Sequence, residues 1–141
     1  MAHILNIGLV AHDAQKEKLS AWVTDHKNAL LPHLFFATGT TWKVLTRAHE
    51  KLQITKLKSG PLGGDQQLGA MICEGKLDIL IFFQDPLTAQ PHDVDVKALV
   101  RLSTLYDIPI ACNPATATLI INGLSWLQQE GIILSRVSGS G

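Results

Sequence analysis

Short apolar runs alternate along this chain with stretches of helical periodicity. Ile4 to Val10, Leu34-Phe35-Phe36-Ala37, Leu77 to Phe83 and Ile108 to Cys112 read as buried strands, each mostly apolar and too short for a helix. Leu52 to Leu57 reads as a weaker strand, whose alternation of period two leaves one face wet. Between them lie helical stretches. One runs from Lys16 to Leu30, with Leu19, Trp22, Val23, His26 and Leu30 on one face. Another runs from Asp93 to Tyr106, with Ala98, Leu99, Leu102, Leu105 and Tyr106 together. Strands separated by helices predict an α/β fold. It is a single-domain, doubly wound, mostly parallel sheet with helices on both faces.

The length of 141 residues suits one domain, expected over residues 1–137. Ser138-Gly139-Ser140-Gly141 reads as a disordered tail. Twelve Lys and Arg balance twelve Asp and Glu, so formal net charge is zero. That balance argues against nucleic acid or an anionic membrane as partner, and any bound anion must be held locally. A hydrophobic share of 46% with only 17% charged residues suggests surface covered by sister subunits. Cys73 and Cys112 sit among apolar neighbours and read as buried structural thiols, with no zinc spacing between them. No secretory pattern and no apolar run of roughly 18 residues occurs, so the expected compartment is the cytoplasm.

Ligands of such sheets bind where loops leave the carboxyl ends of the strands. Those loops carry Ala11-His12-Asp13-Ala14-Gln15-Lys16, Thr38-Gly39-Thr40-Thr41, Ser59-Gly60-Pro61-Leu62-Gly63-Gly64-Asp65, Gln84-Asp85-Pro86 and Pro91-His92-Asp93-Val94-Asp95. Nearly all the polar chemistry therefore falls on one edge. Thr38 to Thr41 follow a strand and open a helix, so hydroxyls and unpaired N–H groups converge at a positive dipole end. Ser59-Gly60 repeats the arrangement, and Lys16 adds a point charge. Plain capping and turn formation explain either loop alone; two such loops beside a lysine favour a phosphate. The Walker and dinucleotide glycine patterns are absent.

Asp13, Asp65, Asp85 and Asp95 share that edge, and crowded, partly desolvated carboxylates suit a general base. Asp65 alone is as readily a cap for a helix from Gln66 to Glu74, and Asp85 before Pro86 an ordinary turn residue. No histidine spacing supports a metal held by these acids. His92 lies three residues before Asp95, where the two can share a face and fix the imidazole tautomer. The start of a helix also disfavours a second proton on that ring. His12 beside Asp13 is a second candidate. His3, His26, His33 and His49 read as surface or packing residues.

These segments, in this order, resemble the signature of the methylglyoxal synthase family over about residues 7 to 122. The most specific are Ser59-Gly60-Pro61-Leu62-Gly63-Gly64-Asp65 and Pro91-His92-Asp93 with Asp95. The resemblance implies conversion of dihydroxyacetone phosphate to methylglyoxal and inorganic phosphate, without metal or redox cofactor. It makes Asp65 the acid/base and His92 a substrate contact. His12, Lys16, Thr38, Gly39, Thr40, Thr41, Ser59 and Gly60 bind substrate, and Asp13, Asp85 and Asp95 complete the polar network. It also implies a homohexamer, inhibition by phosphate and a bypass of lower glycolysis. The same fold serves as an effector-binding module in carbamoyl phosphate synthetases. Retention of Asp65 and His92 favours the enzyme. Trp42 stands where many members have glycine, which predicts a bulkier second loop. Arg136 is placed in no role.

Overall fold

The computed structural model describes residues 4–59, 62–87 and 96–129. Gly60, His92, Asp95, Arg136 and the 138–141 tail lie outside the described residues. Among the described residues, five strands form one parallel sheet in the order β3-β2-β1-β4-β5. They are β1 (Asn6–Ala11), β2 (Leu34–Ala37), β3 (Gln53–Lys56), β4 (Ile79–Phe83) and β5 (Ile110–Ala111). The helices are α1 (Lys16–Asp25), α2 (Lys27–Leu30), α3 (Gly39–Ala48), α4 (Gly64–Cys73), α5 (Val96–Leu105) and α6 (Pro114–Gln129).

Alternation along the strands divides the core in two. Ile7, Leu9, Phe35, Ala37, Ile79 and Ile81 face Leu19 and Val23 of α1, Leu45 of α3, and Ala117, Ile121 and Leu124 of α6. Val10, Leu80 and Phe82 face Leu68 and Ile72 of α4 and Leu99 of α5. A sheet covered on both faces needs apolar residues at consecutive positions, and β4 is buried throughout. Gly8 admits α4 to this packing, since a Cβ there would come within 3.0 Å of Leu80 and 3.3 Å of Leu68. No helix among the described residues is long and apolar enough to cross a membrane.

Side chains trim the strands at the amino edge. The Leu5 N–H donates to His33 Nδ1 at 3.1 Å, and the Asn6 N–H donates to Asp78 Oδ2 at 2.9 Å. Ladder pairing therefore begins later than the apolar runs, at Asn6 and Ile79. The long first helix divides at His26. Its Nδ1 lies 2.9 Å from the Trp22 carbonyl and its ring stacks on the indole at 4.6 Å. Trp22 Nε1 donates to Thr118 on α6 at 3.0 Å, tying the last helix to the first.

Two expectations fail. Cys73 is exposed, because Gly69 and Ile72 take the inward face of α4, and Cys112 is half-buried. The Trp42 indole does not fill its loop. It packs against the core and donates to the Ile54 carbonyl at 3.0 Å, on the β3 side of α3.

Candidate functional site

Parallel pairing sets the carboxyl ends of the strands side by side. Ala11 pairs with Phe83, and Ala37 pairs with both Leu9 and Lys56. The residues that follow are cross-linked along this edge. The Ala11 N–H donates to Thr41 Oγ1 at 3.3 Å, joining the end of β1 to α3. Thr38 Oγ1 lies 3.5 Å from the same hydroxyl. The Gly39 N–H reaches the Lys58 carbonyl at 3.4 Å, and the Gly64 N–H reaches the Ser59 carbonyl at 3.0 Å. The Asp85 N–H donates to His12 Nδ1 at 2.9 Å, which ties the fourth loop to the first.

Three features equip the edge for an anion. Thr38 precedes α3 in an extended conformation, and no side-chain hydrogen bond caps the helix. The Thr40 and Thr41 N–H groups of the first turn therefore face the edge at the positive end of the helix, while that of Gly39 is turned to the Lys58 carbonyl. Lys16 is buried and ion-paired to the exposed Asp13. His12 is 3% exposed. A backbone N–H can only donate, so His12 Nδ1 is its acceptor and the neutral ring carries its proton on Nε2. That buried Nε2 has no partner among the described residues. Phe82 meets the ring edge-on at 5.1 Å and fixes its plane.

Asp65 lies in the first turn of α4 and is half-buried. The cap position belongs instead to Gly63, at a φ of 104° that disfavours side chains. Helix α4 therefore begins at Gly64 rather than Gln66, and the capping role for Asp65 does not hold. A Cβ on Gly64 would lie 2.1 Å from the Lys58 carbonyl and 2.9 Å from Thr38, so glycine there lets three loops meet. Asp85 Oδ1 accepts from the Leu87 N–H at 3.1 Å, the local turn expected before Pro86.

His12, Asp13, Lys16, Thr38, Gly39, Thr40, Thr41, Ser59, Asp65 and Asp85 thus lie along one edge. Among the described residues, no group of three or more His, Cys, Asp or Glu gathers as a metal site. Sequence reasoning missed Lys43, Lys56 and Lys58, which border the same loops. The Lys-x-Lys pattern entering Ser59 was the available signal. It also missed Gln67, whose Oε1 accepts from the Lys58 N–H at 2.7 Å and steadies the third loop.

The family model of the MGS-like domain matches residues 18–112. A methylglyoxal synthase of Oleidesulfovibrio alaskensis is 58% identical over 116 residues, covering 82% of this chain and 79% of the relative. One of Proteus mirabilis is 51% identical over 134 residues, covering 95% and 88%. The crystal structure of a methylglyoxal synthase from Elizabethkingia anophelis superposes with a TM-score of 0.81 at 47% identity, over 86% of this chain and 79% of that one. With 58% and 51% identity to such relatives over alignments that cover most of both chains, the chain belongs to the methylglyoxal synthase family.

Proposed function

We propose that the chain is a carbon–oxygen lyase that converts dihydroxyacetone phosphate into methylglyoxal and inorganic phosphate. The observation that carries this reading is one edge holding an α3 start with no side-chain cap, buried Lys16 and a His12 Nε2–H that has no partner among the described residues. Those groups suit a phosphorylated substrate, and the named relatives support a triose phosphate.

Lys16, His12, the Thr38–Thr41 turn and the Ser59-Gly60 loop hold the phosphate. Asp65 removes a proton from the hydroxymethyl carbon. Negative charge passes to the carbonyl oxygen, where His92 supplies a neutral N–H donor. The enediolate then expels phosphate from the carbon on the other side of the carbonyl, and the remaining enol becomes methylglyoxal. Elimination needs the breaking C–O bond turned out of the enediolate plane, so fixed placement of the phosphate selects this outcome over isomerisation. Asp13 holds Lys16, Asp85 holds His12 through its backbone, and Asp95 orients His92. The reaction is a bypass of lower glycolysis in the cytoplasm.

Inorganic phosphate occupies the same loops and inhibits. The chain assembles as a homohexamer, supported by its apolar fraction and by exposed Ile4, Leu105 and Leu119. Sedimentation at micromolar concentration tests this, and a monomer contradicts it. Incubation with dihydroxyacetone phosphate should release phosphate and methylglyoxal in equal amounts. Phosphate release without methylglyoxal contradicts the assignment.

A further inference from the structure

A groove of ≈ 540 Å³ opens beside the phosphate loops, between the start of α3 and the loop that follows β3. Gly39, Thr40 and Ser59 belong to its lining, and so do Lys43, Lys56 and Lys58. The volume far exceeds what one phosphate needs and falls in the range of small-molecule sites. All three lysines are exposed, and none has an acidic partner among the described residues, where the ion pairs are Lys16 with Asp13 and Lys76 with Glu74.

Their positions are set by the fold. Lys43 stands three residues beyond Thr40, on the same side of α3. Lys56 shares the face of Ala37, and its Nζ lies 5.2 Å from the centroid of the Trp42 ring. Trp42 is itself held by the Ile54 carbonyl, so the cation rests on a fixed platform. The Lys58 backbone is bound on both sides, by Gln67 and by Gly39. A lysine on an edge strand discourages strand pairing, which accounts for Lys56. It does not account for Lys43 on a helix or Lys58 in a loop. Three cations at one groove with no acidic partner among the described residues, in a chain of zero net charge, make a local positive field.

We infer that this groove is a second-anion subsite, which receives the other end of small molecules bearing two anionic groups. One phosphate lies against Gly39, Thr40 and Ser59, as the proposed function requires, and a second phosphate or carboxylate lies against Lys43, Lys56 and Lys58. Such molecules compete with the triose phosphate and bind more tightly than monophosphates of equal length. The device makes the enzyme responsive to doubly charged metabolites.

The test compares propyl phosphate with propane-1,3-diyl bisphosphate by calorimetric titration of the full chain at about 0.1 M salt, where exposed charges still interact. The bisphosphate should bind at least about tenfold more tightly, the scale of a few exposed charge pairs. In Lys43→Gln/Lys56→Gln/Lys58→Gln that advantage should fall to about the twofold expected from its two equivalent ends, while propyl phosphate binding and kcat are retained. Each single variant should lose part of it, which keeps the test readable if the triple variant folds poorly. Propyl phosphate binding with no bisphosphate advantage, or an advantage that survives all the substitutions, overturns the groove. No binding of propyl phosphate overturns the assignment of the loops themselves, and the spanning ligand with it.

Discussion

The backbone N–H of Asp85 donates to Nδ1 of His12 across 2.9 Å, joining the loops after β4 and β1. It settles which nitrogen of a buried imidazole faces the edge as a donor. His12→Asn preserves an acceptor near Nδ1 and removes the Nε2 donor. A hydrogen bond to a charged group is worth about 1.5–3 kcal/mol, so kcat/KM should fall by about ten- to a hundredfold. Steady-state phosphate release from a folded variant checks this. An unchanged kcat/KM would remove His12 from the site.

Gly64→Ala should be damaging out of proportion to one methyl group. The added Cβ meets the Lys58 carbonyl at 2.1 Å, so either the third loop or the start of α4 must move. Overpacking of this kind costs about 1–3 kcal/mol. It should also displace Ser59 and Asp65 together. Denaturant unfolding and turnover should fall together; full activity would mean that the loops are not locked as described.

Ser103 is fully buried on α5, and its hydroxyl has no partner among the described residues. Leaving a buried hydroxyl unmade costs about 1–3 kcal/mol. Ser103→Ala should therefore raise stability by about 1 kcal/mol without altering turnover. A lower unfolding midpoint in urea would show that the hydroxyl contributes.

Stability should decline in mild acid. Burial pushes the His33 imidazole below its ordinary value, only partly opposed by Asp78. His49 is lowered too, again chiefly by burial, with the Ser20 backbone opposing and Lys27 assisting. A group whose folded value is depressed leaves stability intact above its unfolded value, about 6.5 for histidine. Stability is lost as pH falls below that, because the unfolded chain binds the proton first. Protonating His33 also removes the acceptor of the Leu5 N–H. Unfolding midpoints at pH 7.5 and 5.5 should show the decline, and His33→Asn should reduce it. An equal slope in that variant would assign the effect elsewhere.

Where apolar pattern alone decides, the sequence was readable: Leu34–Ala37 forms β2 with the expected bounds. Elsewhere particular side chains moved the ends. At β5 the Ile108 N–H turns back to the Ser103 carbonyl and Pro109 has none to offer, so the ladder narrows to Ile110–Ala111. Helix α6 went unread because Thr116, Thr118 and Gly123 are poor helix formers, although Ala117, Ile121 and Leu124 keep the spacing of a buried face. The loops of the candidate edge were legible as motifs. The His12–Asp85 bond was not, since it joins a side chain to a backbone 73 residues away. Nor was the lysine groove, which needs α3 and β3 brought side by side.

Asp65, the proposed base, lies in the first turn of α4 beside the loops of the edge. The most direct measurement follows dihydroxyacetone phosphate in deuterated water, recording hydroxymethyl proton exchange and phosphate release together for wild type and Asp65→Asn. An amide cannot take the carbon-bound proton, so both rates should fall by at least about a hundredfold in the variant. Folding and phosphate binding should persist, because Lys16 and the hydroxyl loops are untouched. Near-normal exchange and release in Asp65→Asn would contradict the account and move the base to another acid of the edge.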